Sequence, residues 1–493
     1  MSGKEGSSKK GAKPRTKPKS KQKQKLKNKD KGKPRRMRAE AHAPPEESGS
    51  QSTSSESKSG DPKSARGAKS TSGAKPRGRQ DEPPRKPRPP GPRPSRPKRP
   101  EPERQKRSLS NQGGETEVHG PPEIVEPLRR ALDATSADPD ELTHGFHAYP
   151  AKMHPAVAYH LLETFEGTVL DPFCGSGTVL VEARVGGRVC AGVDLNPLAL
   201  RVAEVKTDVR HGRHRKRFVT ALHEVAARSE ERVRSRVDVR APVPGHHISW
   251  YGPHVLQELA GLREESLDVE TEADSRALEV VLSAIVVKFS QRRSESAPKP
   301  TPKRIRKGLV TEFFVRKGEE LVDRWAKLEQ AVRSEGGGGQ PPILRLGDAR
   351  DLARTLPRNR QWDLVISSPP YGGTYDYVEH HELRYPWLGL DARELQDHEI
   401  GARRHLAHSD DAPTWEQQVH DFLTSIESVL SKDGVVVLLV GDAQIGQRRM
   451  NAAAQLVRIA PEAGLRVQGS ASQTRPDRTG GRPREEHLVM LTR

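Results

Sequence analysis

The chain has 493 residues, enough for two or three domains, and a formal net charge of +19. The excess charge is confined to one region, because residues 1–110 hold 34 Lys and Arg against 11 Asp and Glu, whereas the rest of the chain holds 51 against 55. Two cysteines exclude a disulfide framework and a cysteine-based zinc site. The longest apolar run, Val435 to Val440, is far too short to span a bilayer.

The first 120 residues are predicted to form a disordered basic tail. They are rich in Pro, Ser and Gly and nearly free of aromatic residues, so they cannot bury enough apolar surface to offset chain entropy. Such a tail is either a polybasic arm for nucleic acid or a solubilising extension, and composition leaves both open. The tail lacks the apolar segment of a secretory signal, which predicts a soluble, cytoplasmic protein with no membrane partner.

Residues 121–210 alternate between short apolar strands and helices, the pattern of a parallel sheet. The predicted helices cover 123–134, 155–164, 178–184 and 197–206, and the predicted strands cover 168–170 and 188–193. The alternation then stops, and residues 211–340 are predicted to be a mostly helical insertion. Its helices are placed near 253–264, 275–290 and 311–333, and the glycines at 336–339 form a flexible joint.

The sheet resumes over residues 341–493. Its predicted strands cover 343–346, 362–367, 434–440, 465–470 and 486–491. The chain is therefore predicted to be one α/β domain, with a cofactor-binding half at 121–210 and a catalytic half at 341–493, interrupted by the insertion.

A glycine turn follows the first predicted strand, with the sequence Asp-Pro-Phe-Cys-Gly-Ser-Gly-Thr over residues 171–178. Gly175 and Gly177 let a ligand approach the backbone closely. Asp171 ends its strand at the edge where open α/β sheets bind ligands, and Asp194 ends the next strand, where a carboxylate can accept hydrogen bonds from ribose hydroxyls. A nicotinamide site is disfavoured, because the third glycine of the dinucleotide fingerprint is missing.

A second motif, Ser368-Pro369-Pro370-Tyr371, follows the apolar strand at 362–367. An exocyclic amine on an aromatic base is a weak nucleophile, and hydrogen-bond acceptors placed at its two protons stabilise the geometry that attacks a methyl group. The Ser368 hydroxyl and the Pro369 carbonyl can be those acceptors, and the two prolines fix the backbone. Tyr371 offers a ring on which an extruded base can stack.

Taken together, the two motifs resemble those of the S-adenosylmethionine-dependent amino-methyltransferases that modify exocyclic nitrogens of DNA bases. The resemblance covers about residues 143–206 and 341–493, and Ser-Pro-Pro-Tyr is similar to the catalytic motif of the cytosine-N4 members. It implies a Rossmann-like class I methyltransferase sheet, S-adenosylmethionine as cofactor and DNA as partner, with RNA as the alternative. It implies catalysis by Ser368, Pro369, Pro370 and Tyr371, and cofactor contacts by Phe146, Lys152, Asp171, Phe173, Gly175, Gly177, Thr178, Asp194 and Asp348.

Two of these contacts have specific roles in the resembling family. The segment 146–153 packs against the methionine end of the cofactor, and Asp348 accepts a hydrogen bond from the adenine amino group. The expected activity is methylation of cytosine N4 in DNA. The alternatives are adenine-N6 methylation of DNA, guanine-N2 methylation of RNA, and a catalytically inactive nucleic-acid-binding protein.

Two further groups of residues have no single interpretation. Polar and aromatic residues just after the second motif could line the base pocket or could face solvent on a helix: Tyr375, Tyr377, His380, His381 and Arg384. A basic cluster in the insertion could contact phosphates or could be an ordinary solvated face: Lys288, Arg292, Arg293, Lys303, Arg304, Arg306 and Lys307. No metal site is predicted.

Overall fold

The fold is seen in a computed structural model, which describes residues 114–134, 138–237, 240–295, 297, 299–336, 339–475 and 483–493. Nearly all of the predicted basic tail, residues 1–113, lies outside the described residues, as do positions 337 and 338 of the predicted glycine joint.

The architecture is built on one eight-stranded sheet in the order β1-β9-β10-β6-β5-β2-β3-β4, with a separate two-stranded hairpin, β7-β8. The strands are β1 Glu117–His119, β2 Val169–Asp171, β3 Cys190–Asp194, β4 Ile343–Leu346, β5 Trp362–Ser367, β6 Leu430–Gly441, β7 Ala443–Ile445, β8 Arg448–Met450, β9 Arg466–Arg475 and β10 Arg484–Thr492. Strands β6, β5, β2, β3 and β4 are parallel, and β10 runs antiparallel between β6 and β9. The predicted α/β fold class is confirmed.

Helices cover the sheet and form the insertion. They are α1 Pro122–Asp133, α2 Pro155–Thr164, α3 Thr178–Val185, α4 Pro197–Thr207, α5 Gly212–Arg234, α6 Gly245–Ile248, α7 Pro253–Leu267, α8 Glu272–Phe289, α9 Leu309–Ser334, α10 Leu352–Thr355, α11 Tyr377–His381, α12 Tyr385–Leu388, α13 Arg393–His398, α14 Ala412–Val429 and α15 Ala452–Ile459. Several start at a proline in the first turn after a capping side chain, as Asn196 shows by accepting a hydrogen bond from the Leu198 N–H at 3.0 Å.

The insertion, which lies between α4 and β4 in the sequence, has its own apolar core. Phe218 of α5 and Trp325 of α9 are fully buried and meet edge to face at 5.0 Å. The Trp325 indole N–H donates to the Val205 carbonyl of α4 at 2.9 Å, which joins this core to the sheet domain. Helix α5 was not predicted, because Arg, His and Glu dominate its sequence; its buried residues Phe218, Leu222 and Val225 nevertheless recur at helical spacing.

Three strand predictions needed correction. The tail was predicted to extend to residue 120, but β1 pairs antiparallel with β9, because the edge of the sheet offers free backbone partners at that position. Strand β6 starts at Leu430 rather than at residue 434. The β7-β8 hairpin was not foreseen, since each of its strands has only three residues. Within the described residues, no helix has the length and apolar character needed to cross a membrane.

Candidate active site between the glycine turn and the Ser-Pro-Pro-Tyr loop

A cavity lies at the carboxyl ends of the parallel strands, with an empty volume of about 840 Å³ that includes its open mouth. This is the edge at which open α/β sheets bind ligands. Most of the predicted site residues line it: Lys152, Asp171, Phe173, Gly175, Thr178, Asp194, Asp348, Ser368 and Pro370. The two motifs, about 190 residues apart in the chain, therefore share one cavity.

The glycine turn forms one wall of the cavity. Gly175 and Gly177 both have positive φ angles, 49° and 84°, which other residues adopt only with strain. A side chain at Gly177 would also approach the Cβ atom of Ala203 to 3.0 Å, so this glycine lets α3 lie close to α4. Cys174, within the turn, is buried and also lines the cavity.

Asp194 holds this wall in place from the end of β3. Its Oδ2 accepts a hydrogen bond from the Gly175 N–H at 2.8 Å, and its Oδ1 accepts one from the Asn196 N–H at 2.8 Å. Burial raises the pKa of the Asp194 carboxyl to about 6, although both hydrogen bonds act in the opposite direction. The carboxylate faces the cavity beside a rigid backbone turn.

A buried hydrogen bond joins the ends of the two central strands. The Ser367 hydroxyl at the end of β5 donates to Asp171 Oδ1 at the end of β2, at 2.6 Å. The Phe173 N–H donates to both groups, at 3.2 Å each. Burial raises the pKa of the Asp171 carboxyl to about 7. This contact positions the glycine turn against the residue that precedes Ser368, and the sequence analysis gave Ser367 no role.

The Ser-Pro-Pro-Tyr loop forms the facing wall through Ser368 and Pro370. Pro369 and Tyr371 are not among the residues that line the cavity. The Tyr371 hydroxyl donates to Glu486 Oε1 at 3.3 Å, and its ring lies so close to Gly441 that a side chain there would clash at 2.4 Å. The arrangement therefore gives no support to base stacking on Tyr371.

Two other tyrosines bring their rings to the cavity. Tyr149 and Tyr377 line it and stack at a centroid distance of 6.2 Å, and His381 lies 4.8 Å from Tyr149. The Tyr149 hydroxyl accepts a hydrogen bond from the Asn196 amide at 3.2 Å. Tyr377 was one of the residues with two open interpretations, and it lines the cavity; Tyr149 and Asn196 were not singled out, since their roles depend on contacts distant in sequence.

Comparison with known proteins bears on the part of the chain that carries the glycine turn. Residues 146–237 match the family described as "UPF0020: RMKL-like, methyltransferase domain". The chain is 41% identical over 73 residues to the type II methyltransferase M.MvaI of Kocuria varians, a match that covers 14% of this chain and 16% of that protein. These matches support the predicted resemblance of this part of the chain to the S-adenosylmethionine-dependent amino-methyltransferases.

Longer matches to this superfamily are weaker. The type II methyltransferase M.BsoBI of Geobacillus stearothermophilus is 20% identical over 312 residues, which covers 56% of this chain and 58% of that protein. The chain thus spans less than two thirds of the length of the curated relatives it matches. The solved rRNA methyltransferase aviRa of Streptomyces viridochromogenes is 13% identical with a TM-score of 0.31, over 74% of this chain and 96% of that one.

The cofactor of the superfamily is S-adenosylmethionine, and the glycine-turn wall suits its nucleoside end. At Gly175, whose φ is positive, the backbone lies open to the cavity, and an added Cβ atom would meet the Tyr149 ring at 3.3 Å. The half-buried Asp194 carboxylate at the strand end can accept hydrogen bonds from two ribose hydroxyls. The residues present therefore fit this cofactor.

Four predicted cofactor contacts take other positions or partners. Gly177 does not line the cavity, because its backbone lies against α4. Phe146 is fully buried in the core of the insertion, with the Lys317 ammonium 4.6 Å from its ring centroid, and it does not line the cavity. Lys152 lines the cavity, but its ammonium donates to the His144 carbonyl at 3.0 Å. The Asp348 carboxylate lines the cavity and is bound by the Arg350 guanidinium through both oxygens, so Arg350 competes with an adenine amino group for it.

Proposed function

We propose that the protein transfers a methyl group from S-adenosylmethionine to an exocyclic amino nitrogen of a DNA base, with cytosine N4 as the favoured target. The observation that carries the proposal is the shared cavity, with Gly175 and Asp194 on one wall and Ser368 and Pro370 on the other. Similarity to proteins named as type II methyltransferases, together with the Ser-Pro-Pro-Tyr sequence, supports DNA as substrate and cytosine as base.

The glycine-turn wall would bind the cofactor. Asp194 would accept hydrogen bonds from the ribose, and the backbone at Gly175 would lie against the ligand without a side chain between them. When bound, S-adenosylmethionine supplies a methyl group activated by the positive charge on its sulfur. The task left to the protein is to align the base amine with that methyl group, which contributes to the rate through orientation.

The Ser-Pro-Pro-Tyr wall would bind the base amine. The Ser368 hydroxyl, which lines the cavity, would accept a hydrogen bond from one of its two protons and help to direct the nitrogen lone pair towards the bound cofactor. The Pro369 carbonyl, the second acceptor expected from the sequence, does not line the cavity. Neither Pro369 nor Pro370 has a backbone N–H, so the loop cannot turn a competing donor of its own towards the Ser368 hydroxyl at those positions. The Tyr371 phenol, held by Glu486, fixes the end of the loop.

The rings of Tyr149 and Tyr377 would hold the plane of the base. They lie on the cavity between the two walls, and an extruded base needs a flat apolar surface to replace the stacking it loses in the duplex. This assigns to Tyr377 the stacking role first expected of Tyr371.

Mapping of modified bases tests the proposal directly. Genomic DNA from cells with and without the gene is digested to nucleosides and analysed by mass spectrometry, alongside single-molecule sequencing of both strains. We expect N4-methylcytosine that disappears on deletion. Loss of N6-methyladenine instead would retain the enzyme class and change the base; an unaltered DNA profile with loss of N2-methylguanine from RNA would overturn the DNA substrate.

An inactive nucleic-acid-binding protein is the remaining alternative. Calorimetric titration of the purified chain with S-adenosylmethionine separates it from the proposed enzyme, since absence of binding would favour the inactive protein.

A further inference from the structure

The segment between α8 and α9, residues 291–308, is a strongly basic loop that the proposed mechanism does not use. We call it the basic loop. It holds seven Lys and Arg residues and one acidic residue, Glu295. Its described residues form no helix or strand.

Two ion pairs attach the basic loop to the segment that follows the Ser-Pro-Pro-Tyr loop. Arg292 pairs with Glu382 at 3.3 Å, and Glu295 pairs with Arg384, whose side chain is only 2% exposed. Glu382 comes five residues after Tyr377 on the cavity wall, a distance of about 8 Å at the rise of an α-helix. The base of the loop is therefore anchored close to the cavity.

Further contacts hold the basic loop in one conformation. The Thr301 N–H donates to the Gln291 carbonyl at 2.6 Å, and the Lys303 ammonium donates to the Arg292 carbonyl at 2.7 Å. At the far end, the Gly308 N–H donates to the Glu258 carboxylate at 2.8 Å. Because these contacts hold the described part of the loop before any partner binds, less conformational entropy is lost on binding.

The cations of the basic loop divide into two groups. In the first group, Arg292 is buried over the Trp250 ring at 3.7 Å, Lys303 donates to the Arg292 carbonyl, and Arg306 pairs with Glu312. The other group is exposed, and no ion pair within the described part of the chain involves its members: Arg293, Lys299, Arg304 and Lys307. A structural role accounts for the first group and leaves these four charges free to meet an anionic partner.

We propose that the basic loop binds the phosphate backbone of duplex DNA and holds the strand that presents its target base to the cavity. The proposal rests on the proposed function and adds the surface that positions the substrate. A cluster of four exposed cations without ion-pair partners among the described residues suits the repeating charges of a nucleic acid. Each contact releases counterions, so binding through the loop depends on salt.

The test compares the full chain with a variant in which Arg293→Gln, Lys299→Gln, Arg304→Gln and Lys307→Gln are combined. Duplex affinity is measured by fluorescence anisotropy between about 50 and 200 mM salt. We expect the slope of log affinity against log salt to become shallower by about 0.9 for each lost contact. KM for DNA should rise on the order of tenfold, with kcat at saturating DNA unchanged within about twofold.

A second variant with the same charge change is the control. Arg213→Gln, Lys216→Gln, Lys327→Gln and Lys432→Gln remove four exposed cations from α5, α9 and β6. Arg236 is left unaltered in this control, because it lines a surface cavity together with Lys307 of the basic loop. We expect this variant to retain the salt slope and KM of the unaltered chain. If the two variants changed DNA affinity equally, the effect would come from net charge and not from the basic loop, and the proposal would be overturned.

Other outcomes are also decisive. Weaker S-adenosylmethionine binding by the basic-loop variant would indicate that the four cations have a structural role. Loss of affinity for single-stranded RNA with unchanged affinity for duplex DNA would indicate that RNA, not DNA, is the partner of the loop. Either result overturns the proposal. The proposed function fails separately, if the unaltered chain transfers no methyl group to any DNA. The anisotropy data would still show whether the loop contacts a duplex.

Discussion

The two walls of the cavity are built by different means. The glycine-turn wall consists of backbone turns and buried carboxylates at the ends of adjacent parallel strands, with Asp194 bonded directly to Gly175. The Ser-Pro-Pro-Tyr wall is a loop that is held by elements other than the parallel strands. The Gln444 N–H of the β7-β8 hairpin donates to the Gly372 carbonyl at 2.8 Å, and the Tyr371 hydroxyl donates a hydrogen bond to Glu486 of β10. Cofactor affinity and turnover should therefore be separable by mutation.

Removal of the Ser368 hydroxyl should separate them most strongly. In Ser368→Ala, loss of one acceptor at the base amine should lower kcat by about 100-fold or more, in the range known for other preorganised hydrogen-bonding groups. S-adenosylmethionine affinity, measured by calorimetry, should stay the same, because Ser368 lies on the opposite wall. Ser368→Thr keeps a hydroxyl and should recover part of the activity; equal losses of affinity and turnover in Ser368→Ala would make this residue structural.

A side chain at Gly175 should have the converse effect. Gly175→Val places a branched side chain at φ 49° and next to the Tyr149 ring, so cofactor affinity should fall by a factor on the order of 30 or more. The control is Gly212→Val at the start of α5, where an added Cβ atom has no atom within 4 Å. Normal cofactor binding by Gly175→Val would show that the glycine turn is not part of the cofactor-binding site.

Ser367→Ala should affect both walls moderately. It removes the 2.6 Å hydrogen bond to Asp171 that links them, and we expect about five- to tenfold losses in both cofactor affinity and kcat. Ser425→Ala is a matched control, because the Ser425 hydroxyl accepts a buried hydrogen bond from the Leu352 N–H at 2.8 Å and neither residue lines the cavity. If Ser367→Ala lost only thermal stability, and by the same amount as Ser425→Ala, Ser367 would have no role in linking the two walls.

Acid should weaken cofactor binding through Asp194. Its pKa of about 6 means that lower pH protonates the carboxyl and removes an acceptor for ribose hydroxyls. Affinity should fall by up to about tenfold per pH unit below pH 6 and level off above it. Calorimetry in buffers of different ionisation enthalpy should show proton release on binding near pH 6, and Asp194→Asn should abolish that release.

The ligand-free fold should respond to pH in the opposite direction. Burial raises the pKa of the Asp194 carboxyl to about 6 and that of the Asp171 carboxyl to about 7, above the usual 3.8. The stability that the folded state gains from these protonated carboxyls is therefore fully present below about pH 4. It is lost as the pH rises through about 6 for Asp194 and about 7 for Asp171. Denaturant unfolding of Asp194→Asn should show a shallower fall over that range. An unchanged slope would mean that the carboxyl is solvated.

The sequence predicted the parts of the fold that local patterns determine. The helix at 155–164 and the strands at 343–346 and 362–367 were placed with their observed bounds, since apolar runs and proline starts mark them. Helix α5 was missed because its apolar residues are sparse among charges, and β1 was missed because a three-residue strand forms only where a neighbouring edge is available.

The site was predicted as far as backbone chemistry allows. Gly175, Asp194 and Ser368 reach the cavity because strand ends converge at one edge of a parallel sheet. Side-chain direction depends on partners distant in the sequence: Glu486 holds Tyr371, Arg350 binds Asp348, and the core of the insertion buries Phe146. Sequence motifs give no information on those partners.

Single-turnover transfer tests most directly whether the two walls act together on one base. Purified protein loaded with S-adenosylmethionine carrying an isotopic label in its methyl group is mixed with duplex DNA, and the product is digested to nucleosides and analysed by mass spectrometry. We expect the label in N4-methylcytosine, at a rate about 100-fold lower for Ser368→Ala with full cofactor occupancy. Label absent from DNA despite bound cofactor, or transferred equally fast by Ser368→Ala, would contradict the account.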